Sequence, residues 1–470
     1  MKITVKRAYV IYFFILAFIA GVVTLVINIS INGATWVSSE ANRHLYSRSK
    51  AVISAGPVYD RNGVILAQSE DNVRIYHEDE DIRMATLHVV GDAHGVISTG
   101  TQNIYTQALS GYSFADGIYT LKNSDVGPSI TMNIDSEACR VAYEALGAYD
   151  GVVMAYNYQT GELLCSVSKP TYDLNNKPED INTNPAYEGV YLDKAISGLY
   201  TPGSIMKIVT AICAIENIPD IYERTFNCDG YYEVGNYDTP EAQRNHSVVC
   251  NDTNGHGVIN FEGAMNYSCN WAFAQIAIEL GAEKLNETAE SLGFNAELYA
   301  REIRIKPTSY HPPANDDLEL GWCGIGQSTT LVNPCHFLTI MGAIAKGGTG
   351  YAPDRIQIID NLTNVVEREP VVMTTIDPDT AQKVHELLIS NVENVYLDRR
   401  DYEVFDGMSI AGKTGTAQID NGTSHSWFVG YSYDENLPIA IVVVAEHGGS
   451  GMWTATDIAD EVMQHFDDNY

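Results

Sequence analysis

From Ala8 to Ile31 the chain carries no charged side chain, and most positions are aliphatic or aromatic. A helix of that length is long enough to cross the hydrocarbon core of a bilayer. This run splits the protein into a short tail, Met1–Arg7, and about 440 residues that must fold outside the membrane, enough for two or more domains. Lys2, Lys6 and Arg7 precede the run and no acidic residue does, so the positive-inside bias predicts a cytoplasmic N-terminus and an extracytoplasmic remainder. A cleaved signal peptide would have a shorter apolar core followed by a small-x-small cleavage site. Asn28, Asn32 and Thr35 interrupt any such site, and an uncleaved anchor in the lipid bilayer is expected over 8–31.

Without the three basic residues of the tail, 25 Lys and Arg face 60 Asp and Glu, a balance of −35. Such a surface repels nucleic acid and anionic lipid heads and keeps the domain soluble. Eight cysteines in 470 residues do not make a disulfide framework. Cys228 and Cys250 flank a polar, glycine-containing insert and are placed either as one bridge in an oxidising compartment or as unpaired core thiols. No Cys-x-x-Cys occurs, which argues against a zinc ribbon, and no metal site is expected. His385-Glu386 begins like a zinc-protease helix but lacks the second histidine.

Residues 32–48 read as a polar stalk. Val58–Leu66 reads as a hairpin with Asn62-Gly63 as its tight turn. The stretch 70–128 is polar and weakly periodic, a small module with a boundary near Asp125–Pro128. Beyond it, helical character is expected over Asp135–Leu146, near 204–216, near 262–280, near 335–346 and over Thr454–Phe466. Strands are expected at Val152–Tyr156 and Leu163–Val167, joined through Thr160-Gly161, and at Ser409–Gln418, Trp427–Tyr433 and Ile439–Ala445. Strands at both ends with helices between predict an α+β domain whose antiparallel sheet is completed by both termini.

Three short motifs stand in order within that domain: Ser204-Ile-Met-Lys207, Ser268-Cys-Asn270 and Lys413-Thr414-Gly415-Thr416. Each is weak alone. Ser-x-x-Lys also occurs at Ser47–Lys50 and Ser166–Lys169, and Ser-x-Asn at Ser30–Asn32. Context separates them. Lys169 precedes Pro170, which disfavours helix there and predicts a strand end. Ser204 follows Thr201-Pro202-Gly203 and opens an apolar run to Ile215, a buried helix that tolerates proline at its start.

On a helix i and i+3 share a face, so Lys207 can reach the Ser204 hydroxyl. A serine hydroxyl needs a base to become a nucleophile, and a lysine serves only when neutral. Burial lowers the pKa of Lys207, and a second cation nearby, for which Lys413 is the candidate, lowers it further. The helix start offers free N–H groups to a developing oxyanion. Lys413–Thr416 is expected as a strand edge that pairs with a peptide substrate, with Gly415 allowing a foreign backbone to approach. The set is equipment for an acyl-serine reaction without histidine.

These residues resemble the class B penicillin-binding proteins, the membrane-anchored D,D-transpeptidases of bacterial cell walls. Tyr59-Asp60-Arg61-Asn62-Gly63 with Leu66-Ala67 is similar to the family's juxtamembrane signature. Thr160-Gly161-Glu162, Pro170-Thr171-Tyr172-Asp173, Cys250 with His256-Gly257, and His425-Ser426-Trp427-Phe428-Val429-Gly430-Tyr431 also fit. Departures are Ala55-Gly56 for the usual Arg-Gly, Gly326-Gln327-Ser328 for Gly-Gln-Gly, and Asn333-Pro334 for Thr-Pro.

The resemblance implies a transpeptidase domain over 129–470, built on a five-stranded antiparallel sheet with helices on both faces plus an all-helical part. It implies a small, mainly β module over 32–128 before that domain. It further implies Ser204 as nucleophile, Lys207 as base, and Ser268 as proton relay to the leaving amine, assisted by Lys413. Asn270 would orient Lys207 and bind the donor's backbone amide. Thr414 and Thr416 would hold the terminal carboxylate, and the N–H groups of Ser204 and Thr416 would form the oxyanion hole. The implied partners are stem peptides ending in D-alanyl-D-alanine, β-lactams that acylate the same serine, and a separate membrane glycosyltransferase, with no cofactor. A D,D-carboxypeptidase, a β-lactamase-like hydrolase and a non-catalytic β-lactam sensor or wall scaffold are the alternatives.

Overall fold

The computed structural model describes residues 2–38, 55–71, 73–109, 112–113, 117–118, 129–235, 237, 239–360, 368–396, 404–419 and 422–470. Most of the expected stalk, the boundary near Asp125–Pro128 and the Ser47–Lys50 pair lie outside the described residues. The N-terminal helix runs Lys2–Ser38. Its span Tyr9–Asn28 is long and apolar enough to cross a membrane, with none of that span buried.

Two five-stranded sheets organise the rest. The larger is antiparallel throughout, in the order Ile410–Ala417, His425–Ser432, Ile439–Ala445, Gly151–Asn157, Leu163–Lys169. Its central strand Ile439–Ala445 is apolar at every position and wholly buried. A strand covered on both faces loses the in-out alternation of a half-exposed one. Helix Pro334–Ala345 covers one face, and helices Ser136–Leu146 and Thr454–Asn469 cover the other. A helical part carries Lys207–Asn217, Phe261–Asn266, Asn270–Ser291 and Asp317–Gly324. The segment expected as one helix near 262–280 is two. Ser268, between them, has φ +52°, a left-handed conformation unfavourable for a side chain with a Cβ, and it breaks the run.

The second sheet has the order Ile356–Asp360, Ser129–Met132, Val58–Tyr59, Ile65–Glu70, Val73–Tyr76. Its hairpin closes at the expected Asn62-Gly63, with Tyr59 opposite Ile65 and Val58 opposite Ala67. Asp60 is fully buried there and accepts the N–H groups of Asn62 and Val64 at 2.8 Å each and the Ser136 hydroxyl at 2.7 Å. One carboxylate thus closes the turn and ties it to the start of helix Ser136–Leu146. Ser129–Met132 pairs parallel with Val58–Tyr59 and antiparallel with Ile356–Asp360, so the module before 128 and the domain after it share a sheet.

Among its described residues the module carries helices at Glu80–Ala85, Leu87–Val90, Thr101–Ile104 and Thr106–Leu109 beside its strands. Asp79 caps the first by accepting the Asp81 N–H. The Arg83 guanidinium grips Asp173 through two hydrogen bonds of 2.6 and 2.9 Å, buried at the junction with the larger domain.

Candidate active site

Ser204 sits in a 3-10 turn, Gly203–Met206, that runs directly into helix Lys207–Asn217. Gly203 has φ +57°, and a Cβ there would come within 2.7 Å of Thr416 O on the strand Ile410–Ala417. A Cβ on Gly415 would come within 2.7 Å of Pro202 O and 3.1 Å of Ile205. The expectation for Gly415 is thereby corrected. Its missing side chain admits the protein's own turn Gly203–Met206, and that contact seats Ser204 against the edge strand.

The Lys207 amine is fully buried. It lies 2.9 Å from Ser204 Oγ, 3.1 Å from Ser268 Oγ, 2.8 Å from Ser268 O and 2.7 Å from Asn270 Oδ1. The carbonyl of Ser268 can only accept. The Asn270 amide is oriented because its Nδ2 donates to Val249 O at 2.9 Å, so its Oδ1 faces Lys207 and also only accepts. A neutral amine places its two hydrogens on those acceptors and turns its lone pair to a hydroxyl. Burial holds the amine down at about 8, against nearby thiols that pull upward.

Lys413 is also buried, and burial first, then Lys207, pushes its amine well down. The two amines are close enough to repel each other, and that repulsion disfavours charging both at once. Burial lowers the Lys207 amine without fully neutralising it near pH 7, and repulsion from Lys207 lowers the Lys413 amine. The Lys413 amine donates to Thr414 O at 3.3 Å rather than to Ser268, so the assisting contact expected between those two side chains is not formed.

A cleft of about 900 Å3 opens over these groups, lined by Ser204, Ser268, Asn270, Lys413, Thr414 and Thr416. All three motifs therefore converge on one cavity. Its apolar walls include Trp322, Ile325, Met452 and Trp453, which no motif marks. The strand pairs through one edge with His425–Ser432, and its other edge borders the cleft.

All eight cysteines are free thiols and buried, so no Cys228–Cys250 bridge is present. Instead Cys228, Cys250, His256 and Cys269 place four donor atoms within 4.8 Å of one another. Cys250 and Cys269 are 3.8 Å apart at sulfur, and His256 Nδ1 lies 3.6 Å from Cys228 and 3.5 Å from Cys250. A zinc tetrahedron with bonds of about 2.3 Å to sulfur and 2.0 Å to nitrogen has edges of about 3.5–3.8 Å. The Cys250 thiol is pulled down by its hydrogen bond with Cys269 and further by His256, while the same bond pushes Cys269 up and burial pushes Cys228 up. These four residues can hold a soft cation of the zinc type, against the expectation of no metal site. Cys250 and His256 share one loop, but Cys228 and Cys269 come from elements on either side of it, so the four carry no single short motif. Cys269 is the middle residue of Ser268-Cys-Asn270, and a bound ion would fix the loop that carries both neighbours.

The penicillin binding protein transpeptidase domain matches residues 151–464. The peptidoglycan D,D-transpeptidase PbpA of Mycobacterium tuberculosis is 25% identical over 349 residues, covering 68% of each chain. The D,D-transpeptidase domain of a peptidoglycan glycosyltransferase from Eggerthella lenta superposes with a TM-score of 0.71 at 26% identity, over 87% of this chain and 97% of that one. The penicillin G acyl-enzyme complex of M. tuberculosis penicillin-binding protein A gives a TM-score of 0.73 at 22% identity, over 87% and 98%. With two thirds of its length matched by that domain and with this architecture, the chain belongs to the penicillin-binding protein transpeptidase family.

Proposed function

We propose that the protein is a peptidoglycan D,D-transpeptidase that cross-links stem peptides through an acyl-Ser204 intermediate, the same serine being acylated by β-lactams. The observation that carries the reading is the Lys207 amine, fully buried and 2.9 Å from Ser204 Oγ, with its hydrogens directed to two acceptor-only groups. Ser204 Oγ attacks the carbonyl of the penultimate D-alanine while its proton passes to Lys207. The N–H groups of Ser204 and Thr416 hold the oxyanion. As the C–N bond breaks, the departing D-alanine amine takes a proton through Ser268, whose Oγ is 3.1 Å from the lysine. An amine from a second stem peptide then attacks the acyl carbon, its proton returns by way of Lys207, and Ser204 is restored.

Asn270 orients the lysine, Thr414 and Thr416 receive the donor's terminal carboxylate, and the edge strand pairs with its backbone. The chain is organised as tail 1–7, anchor 8–31, juxtamembrane module 32–128 and transpeptidase domain 129–470. The tail is cytoplasmic, and the anchor with its module contacts a membrane glycosyltransferase that supplies the glycan strand.

A class A β-lactamase reading is disfavoured. Those enzymes deacylate with a glutamate that follows Ser-x-Asn, and Glu262, which precedes it here, is occupied with the Ser390 hydroxyl outside the cleft. Labelling membranes with fluorescent penicillin, digesting and identifying the modified peptide tests the nucleophile, and label on any residue but Ser204 refutes it. Partition of the trapped acyl-enzyme between an amine and water separates transpeptidase, where the amine wins, from carboxypeptidase.

A further inference from the structure

Helix Pro378–Asn391 ends in a π-helical turn, Val392–Tyr396, which delivers Tyr396 to the cleft beside the edge strand. Such turns insert a residue into a helix and often mark working positions. Tyr396 and Asn391 are both buried, and neither belongs to the three motifs. The phenol oxygen accepts the Thr414 N–H at 2.7 Å and the Asn391 Nδ2–H at 2.9 Å. Asn391 has no freedom to reverse its amide, because its other hydrogen goes to Gly412 O at 2.7 Å, a carbonyl that can only accept.

A phenol oxygen has two lone pairs and one hydrogen. With both lone pairs taken, its hydrogen must go to the remaining neighbour, Thr414 Oγ1 at 3.2 Å. Thr414 Oγ1 then accepts from the protein and is left to donate into the cleft. The chain of bonds is directional, from Asn391 through Tyr396 to Thr414, and it ends in a hydrogen-bond donor aimed where an anion would sit.

The same phenol occupies the outward N–H of Thr414. By the two-residue period of a strand, the N–H of Thr416 faces the same way, and no side chain among the described residues caps it. A peptide laid along the edge can therefore pair at Thr416 but must stop at Thr414. We propose that Tyr396 is a positioning and specificity residue. It fixes the Thr414 hydroxyl as donor to a terminal carboxylate and closes the strand edge, so that only a peptide ending there is seated. This rests on the transpeptidase reading above, and it supplies a reason for that reaction to choose chain ends over internal bonds.

The test compares acylation by penicillin G with acylation by its methyl ester, which lacks the free carboxylate. In Tyr396→Phe the second-order rate with penicillin G should fall about 10- to 100-fold, while the ester changes less than about 3-fold. Thr414→Val, which leaves Tyr396 in place, should show the same selective loss. Adding Tyr396→Phe to Thr414→Val should then cost less than about 3-fold more. Equal loss for acid and ester, no loss for either, or a full additional loss in the double variant overturns the proposal. Mapping the label in the wild-type chain keeps the two claims apart: label away from Ser204 refutes the transpeptidase reading, whereas label on Ser204 with no acid selectivity refutes only the role of Tyr396.

Discussion

Ser204–Lys207 and Ser166–Lys169 share the same four-residue pattern and do different things. The first pair lies on a helical turn, and its amine and hydroxyl are 2.9 Å apart. The second lies on the strand Leu163–Lys169, where residues three apart point to opposite faces. Ser166 is buried against the core, while the Lys169 amine crosses to Gly147 O and lies 4.4 Å over the Tyr143 ring. A motif states which groups are present, and the backbone period decides whether they meet. Burial then decides whether the lysine is a base.

The sharpest way to break this contrast is substitution. Lys207→Ala should slow acylation by penicillin roughly 1,000-fold, since it removes the proposed general base. Lys169→Ala should leave it within about 2-fold, because distant sites act independently. Comparable losses in stopped-flow acylation assays would erase the distinction between the two pairs.

The pH profile should follow the first lysine. A lysine held at about 8 is a base only above that value, so acylation should fall about 10-fold per pH unit below it and level off above. Lys169→Ala should leave the midpoint unmoved. A flat profile between pH 6 and 8 would contradict a lysine base.

A third expected effect concerns the thiols behind the active site. The Cys228, Cys250, His256 and Cys269 set predicts about one zinc per chain when the protein is purified reduced with the metal present. Chelation, or Cys269→Ala, should lower Tm and slow acylation by roughly 10-fold as the Ser268-Cys-Asn270 loop loosens. Metal content by mass spectrometry with parallel acylation rates checks this, and a metal-free protein of full activity and unchanged Tm would contradict it. The smallest effect belongs to the strand pair. Lys169→Ala removes a cation-π contact at a half-exposed site and should cost about 0.5–1 kcal/mol in denaturant unfolding.

What could be read from the sequence followed from local rules. The strands Gly151–Asn157 and Ile439–Ala445 announce themselves as unbroken apolar runs, and Asn62-Gly63 marks its hairpin. The helix that follows Ser204 is legible from Pro202 and the apolar run after it. The module after residue 70 was harder, because its helices are only four to six residues long, too short to display a period. The break at Ser268 was hidden because a left-handed serine leaves no mark in composition. Tyr396 with Asn391, Trp322 and Trp453 reach the cleft from three separate segments, and Cys228 and Cys269 meet Cys250 and His256 only after folding. Groups joined by tertiary contact carry no spacing signal, whereas Ser204 and Lys207, joined by one helical turn, do.

The most direct measurement is the titration of the Lys207 amine itself. Protein labelled with carbon-13 at the lysine side chains, with the resonance assigned by its loss in Lys207→Arg, can be followed by NMR from pH 6 to 11. The expected midpoint lies near 8 and moves when acylation by penicillin replaces the Ser204 hydroxyl beside the amine. A midpoint at the ordinary lysine value of 10.5, unaffected by acylation, would contradict it.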